Sequence, residues 1–115
     1  MKSRSINRSV IVSVIALLIQ ACSGQPVPPE KIDYVGEWTS KEMYLLILQD
    51  GSVHYKRLKG GGTREITGPI KEYQGDSFVV GIGFIATTFE VSKPPYQEDG
   101  VWKMVVDGVE LTRSQ

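Results

Sequence analysis

Cys22 is the only cysteine of the chain, and it stands directly behind Leu18-Ile19-Gln20-Ala21. A single cysteine cannot close a disulfide within the chain. That leaves its thiol for covalent modification, for an intermolecular disulfide, or free. The other residues with chemical potential are sparse. His54 is the only histidine, and its alternation with Val53 and Tyr55 predicts a solvent-facing position on a strand. One histidine and one cysteine do not make a zinc site of the usual Cys/His kinds. A hydrolytic triad would need His54 with Ser40, Ser52 or Ser77, and no nucleophile-elbow sequence surrounds any of them. Glu65, Glu72, Glu90, Glu98, Asp99 and Asp107 are scattered over predicted strands and turns, whereas acid–base pairs need a cleft that pushes two pKa values apart. Glu98-Asp99 beside Pro94-Pro95 reads as a solvated loop with too few oxygen donors at loop spacing for calcium. Gly60-Gly61-Gly62 precedes neither a Lys-Ser/Thr pair nor a helix start, so it is a turn and not a phosphate loop. These patterns predict a protein that is not an enzyme and carries no cofactor or metal.

The elements around Cys22 define its setting. Lys2, Arg4 and Arg8 precede an apolar stretch, residues 10–19, in which only Ser13 is polar. A basic start, a short apolar core and a small residue before a break are the parts of a secretory signal. The stretch is shorter than the roughly 20 apolar residues that a membrane-spanning helix needs. Its end resembles the lipobox of bacterial lipoproteins, with aliphatic Ile19 three residues before the cysteine and small Ala21 just before it. The resemblance implies diacylglycerol on Cys22, cleavage after Ala21, a lipid-anchored place in the bacterial envelope and, with Ser23 next, sorting to the outer membrane facing the periplasm. One acyl chain holds a protein only marginally, whereas two or three hold it stably.

Cleavage there would remove three of the 13 basic residues and none of the 13 acidic ones, which leaves a mildly acidic chain from residue 22 onward. Such a balance argues against nucleic acid, which requires clustered Lys and Arg to neutralise phosphates. Lys56, Arg57, Lys59 and Arg64 do cluster, around the Gly60–Gly62 turn, and read as the solvated edge of a hairpin. Residues 22–33 contain Pro26, Pro28 and Pro29 and read as an extended tether. With no disulfide to staple it, the domain at 34–115 must be held by its apolar core alone.

From Tyr34 onward the pattern is all β. Asp50-Gly51 and Asp107-Gly108 separate apolar runs at 43–49 and 53–58, and at 101–106 and 109–113, which predicts two antiparallel hairpins. Further strands are expected at 36–39, 63–67, 70–73, 77–82 and 86–92, with a loop from Pro94 to Gly100. Seven or eight short strands predict a small antiparallel meander barrel or a compact sandwich. Alternation nominates Trp38, Leu45, Ile47, Val53, Tyr55, Val79, Phe89, Val91, Trp102, Met104 and Leu111 for the core. Gly36-Glu37-Trp38, followed by an aliphatic strand and an Asp-Gly turn, resembles the opening of lipocalin-like barrels. That likeness implies a tryptophan closing one barrel end. Strands this short would enclose an interior just filled by side chains.

Two apolar groups exceed what a one-sided sheet needs. Leu46 and Leu48 belong to a run that is apolar on both faces. Phe84-Ile85 follows Gly81-Ile82-Gly83, and either enters the core from a bent strand or presents an apolar tip to a partner. The expectation is a lipid-anchored envelope protein whose β domain binds a protein or envelope component through such residues. The alternative is a lipocalin-like carrier of a small apolar ligand, which requires a cavity of about 300 Å³ or more.

Overall fold

The structure is a computed structural model that describes residues 25–114. Residues 1–24, where the signal segment, Ala21, Cys22 and the start of the tether are expected, lie outside the described residues. A short 3₁₀ helix, Pro29–Tyr34, leads into nine strands: β1 (Gly36–Thr39), β2 (Met43–Ile47), β3 (Ser52–Lys59), β4 (Gly62–Gln74), β5 (Ser77–Ile82), β6 (Ile85–Phe89), β7 (Val91–Glu98), β8 (Val101–Val106) and β9 (Val109–Arg113). They form one antiparallel sheet in the order β6-β5-β4-β3-β2-β1-β9-β8-β7. The sheet curls into a half-barrel meander, the all-β architecture expected. Only Glu90 separates β6 from β7. Because β6 pairs with β5 and β7 with β8, residues 85–98 act as one bent strand that hands the sheet from one side to the other. One ladder joins strands distant in sequence: β1 meets β9 through Trp38↔Arg113 and Thr39↔Thr112.

The Asp-Gly pairs act in two ways. Asp107 and Gly108 both have positive φ, 50° and 78°, as a two-residue type I′ turn requires. Asp50-Gly51 sits in a longer loop, where only Gly51 has positive φ and its N–H donates to the Leu48 carbonyl at 3.0 Å. The Asp50 carboxylate accepts from the Ser52 N–H at 2.9 Å, and that bond holds its pKa below the usual carboxylate range.

Several expectations are corrected: nine strands form where seven or eight were expected, and the strand expected at 86–92 is divided at Glu90 between β6 and β7. Residues 94–100 are not a loop, because β7 runs to Glu98 and Asp99-Gly100 makes a second tight turn with φ of 54° and 78°. Pro94 and Pro95 are tolerated there because β7 is an edge strand whose register to β8 shifts on both sides of Lys93. The two strands expected at 63–67 and 70–73 are one, β4. Pro69 falls where β4 exchanges partners, pairing with β3 up to Ser52↔Pro69 and with β5 from Ile70↔Val80. The tether is also shorter than expected. Val27 is buried and its N–H donates to the Gln49 carbonyl at 2.9 Å, so the folded unit starts before Tyr34. Pro29 opens the 3₁₀ helix, where a residue without an N–H leaves no donor unsatisfied.

The concave face is packed with large side chains. Trp38, Leu45, Ile47, Phe78, Met104, Val106 and Leu111 are fully buried. Phe89 stacks on Phe78 with ring centroids 5.3 Å apart and meets the Tyr55 ring edge-on at 4.8 Å. Each such side chain contributes about 1.5–3 kcal/mol by leaving water. Val79 is buried outside this cluster, because β5 is covered on both faces and its inward residues are Phe78 and Val80. Trp102 is half-buried at the margin of the core.

Candidate interaction site

The 3₁₀ helix closes one end of the half barrel. The Trp38 Nε1–H donates to the Tyr34 carbonyl at 2.9 Å, and the Tyr34 hydroxyl donates to the Asp76 carbonyl at 2.7 Å. Burial, and then the nearby Asp76 carboxylate and Tyr73, push the Tyr34 hydroxyl pKa up to about 12. The Lys31 ammonium lies 5.2 Å and 5.4 Å from the Tyr34 and Tyr73 ring centres and donates to the Gly75 carbonyl at 2.8 Å. Around Trp38 the seal continues. The Arg113 guanidinium lies 5.7 Å from the Trp38 ring and 4.7 Å from the Trp102 ring. Gly36 makes room for it, since a Cβ at that position would stand 2.6 Å from Arg113 Cδ, on a backbone with φ of 146°.

The opposite character appears at the β5–β6 hairpin. Its turn, Gly83-Phe84, has positive φ only at Gly83 (63°), the pattern of a type II′ turn that demands glycine at its first central position. The turn throws Phe84 outward, where it is 98% exposed, with Ile82 at 65% and Ile85 at 71% beside it. The Lys71 ammonium donates to the Gly83 carbonyl and holds the tip against β4. Of the two placements open for Phe84-Ile85, the core is thus corrected and the apolar tip is what forms. Ile82 belongs to the same tip, and the two glycines that flank it are its signal in the sequence.

Leu46 and Leu48 lie elsewhere. Leu46 is half-buried on the outer face of β2, and Leu48, 45% exposed, follows β2. They line an open cleft of about 380 Å³ with Val53, His54, Glu65 and Thr67. In the sheet, β3 and β4 lie between β2 and β5, so the four residues expected to bind a partner fall into two separate patches. His54 faces solvent as alternation predicts. Its Nε2 is 2.8 Å from Glu65 Oε1, and its ring meets Tyr44 edge-on at 5.9 Å. The contact with His54 holds the Glu65 carboxyl pKa below its ordinary value. Among the described residues, no cluster of three or more His, Cys, Asp or Glu side chains could hold a metal ion.

The surface therefore offers a protruding apolar hairpin and a shallow apolar cleft, while the concave face, where a lipocalin-like ligand would sit, is filled by Trp38, Phe78 and Phe89. No protein-family model matches the chain, and no curated protein or solved structure matches it.

Proposed function

We propose that this protein is a lipid-anchored component of the bacterial envelope whose β domain is a binding module that engages a protein partner through the β5–β6 tip. The observation that carries the binding reading is the exposure of Ile82, Phe84 and Ile85 together, on a hairpin with no charged residue anywhere from 77 to 89. Isolated exposed apolar residues are ordinary, whereas a contiguous apolar protrusion marks a contact surface. The anchor reading rests on Cys22 and the signal that precedes it.

Two measurements test the two halves. Labelling cells with a radiolabelled fatty acid should mark the chain, and Cys22→Ala should abolish the label; a variant still labelled would remove the anchor. A photocrosslinking residue placed at Phe84 should trap a discrete adduct in intact cells, while the same residue at Thr63, exposed on β4, should not. Equal adducts at both positions, or none at Phe84, would remove the binding site.

A further inference from the structure

The tip continues into a strand edge that no described residue pairs with. Antiparallel pairing commits one edge of β6 to β5, from Ile82↔Ile85 to Phe78↔Phe89. With a two-residue turn, Ile85, Thr87 and Phe89 exchange hydrogen bonds with β5, so the amides and carbonyls of Ala86 and Thr88 point to the other edge. Ala86 and Thr88 are exposed. Among the described residues the bent strand is occupied on that side only from Glu90 onward, where the Asp107 N–H donates to the Glu90 carbonyl at 2.8 Å and the Glu90 N–H to the Asp107 carboxylate at 2.9 Å.

Exposed edges are normally blunted by charge, proline or irregular register. The other edges of this sheet are. Edge strand β7 carries Lys93, Pro94 and Pro95 and two register shifts. The stretch of β4 beyond its pairing with β5 carries Arg64 and Glu65. Edge strand β6 reads Ile-Ala-Thr-Thr-Phe, with none of these devices.

We propose that the free edge of β6 pairs antiparallel with the same edge of a second copy of this chain, so that two half barrels share a continuous sheet with their apolar tips covered. This identifies the partner of the hairpin named above and rests on that reading. The argument for a second copy is self-complementarity. A twofold interface brings each residue against its own neighbourhood. Like charges placed opposite each other would oppose such pairing, and 77–89 contains none. Ala86 and Thr88 are small enough to let two strands approach, and Ile85 gains an apolar neighbour in place of water. Anchored on one membrane, the copies would meet at an effective concentration approaching about the millimolar range, so that even weak pairing would be populated.

The chain from residue 25 contains the whole packed core and no cysteine, which permits a direct test. Residues 25–115 should sediment as a concentration-dependent dimer. Ala86→Cys in this background should give a disulfide-linked dimer on mild oxidation, while Thr63→Cys should stay monomeric. Ala86→Lys should weaken dimerisation at least about tenfold by setting like charges across the axis, with unchanged melting of the monomer. A protein monomeric up to about 1 mM, crosslinking of both cysteine variants alike, or a dimer indifferent to Ala86→Lys would each overturn the proposal. If the chain is monomeric while Phe84 still traps a different envelope protein in cells, the binding reading stands and only the second copy is wrong.

Discussion

The contact between Gly36 and Arg113 gives a prediction with a magnitude. Gly36→Ala should impose two costs. An alanine at φ of 146° is strained by about 1–3 kcal/mol. Its Cβ, 2.6 Å from Arg113 Cδ, also forces Arg113 off the two tryptophan rings, which lie 5.7 and 4.7 Å from the guanidinium. A half-buried cation–π contact contributes about 0.5–2 kcal/mol, so displacing this one adds about 1–2 kcal/mol. Arg113→Ala should lose the stack alone. In the double variant the clash is absent and the stack is already lost, so only backbone strain is added. The two changes should therefore be sub-additive by about 1–2 kcal/mol, beyond the 0.3–0.5 kcal/mol scatter of independent sites. Urea unfolding of residues 25–115 followed by tryptophan fluorescence measures this well, because Trp38 and Trp102 are the only tryptophans and both border Arg113. Strict additivity would show that the arginine does not couple to Gly36 and that the closed end is held by other contacts.

Other expectations follow from the packing. Phe89→Ala, which removes a ring stacked on Phe78 and meeting Tyr55, should cost about 3–5 kcal/mol in the same assay. Phe84→Ser, at a position 98% exposed, should change folding stability by less than about 0.5 kcal/mol while abolishing the adduct formed from a photocrosslinking residue placed at neighbouring Ile85. Stability should fall as pH rises from about 10 toward 12, because the unfolded chain releases the tyrosine protons before the folded Tyr34 does. Tyr34→Phe should reduce that fall, leaving a remainder of the same sign from Tyr73, whose pKa burial also raises; an unchanged pH profile would show that Tyr34 does not govern it. Val27→Asp should destabilise the domain by about 1–3 kcal/mol, whereas a true spacer residue would tolerate it.

Much of the sheet was legible because local rules decided it. β1, β5, β8 and β9 fall at their expected bounds, and Asp107-Gly108 turns as its residue types dictate. The shifted bounds of β4, β7 and the tether each involve a proline. Pro69 marks a change of partner inside β4, Pro94-Pro95 sit on an edge that needs no donors there, and Pro29 starts a 3₁₀ helix. Whether a missing N–H matters depends on what lies opposite it, which only the sheet order reveals. The pair Asp99-Gly100 carried the same signature as Asp107-Gly108 and could have been found. Val79 against Phe78 and Val80 could not, since a strand buried on both faces has no alternation to read. At the candidate site, residue type identified Phe84 and Ile85 as unusual, but their exposure depends on a turn at Gly83 that strands the hairpin beyond the core.

The ladder between β1 and β9 bears on how the chain folds and how it could be rewired. Every other pairing links consecutive strands, so most of the sheet can grow by zipping hairpins of low contact order. Closing β9 onto β1 is the one step that must bring together the two ends of the domain, through two paired positions and the Ser114 N–H to Glu37 carbonyl bond at 2.8 Å. That step is expected to come last and to reopen first, with amide exchange fastest along this seam. It also leaves the first and last strands side by side, so a permuted chain joined by a short linker there and cut at Gly60–Gly62 should reach the same fold.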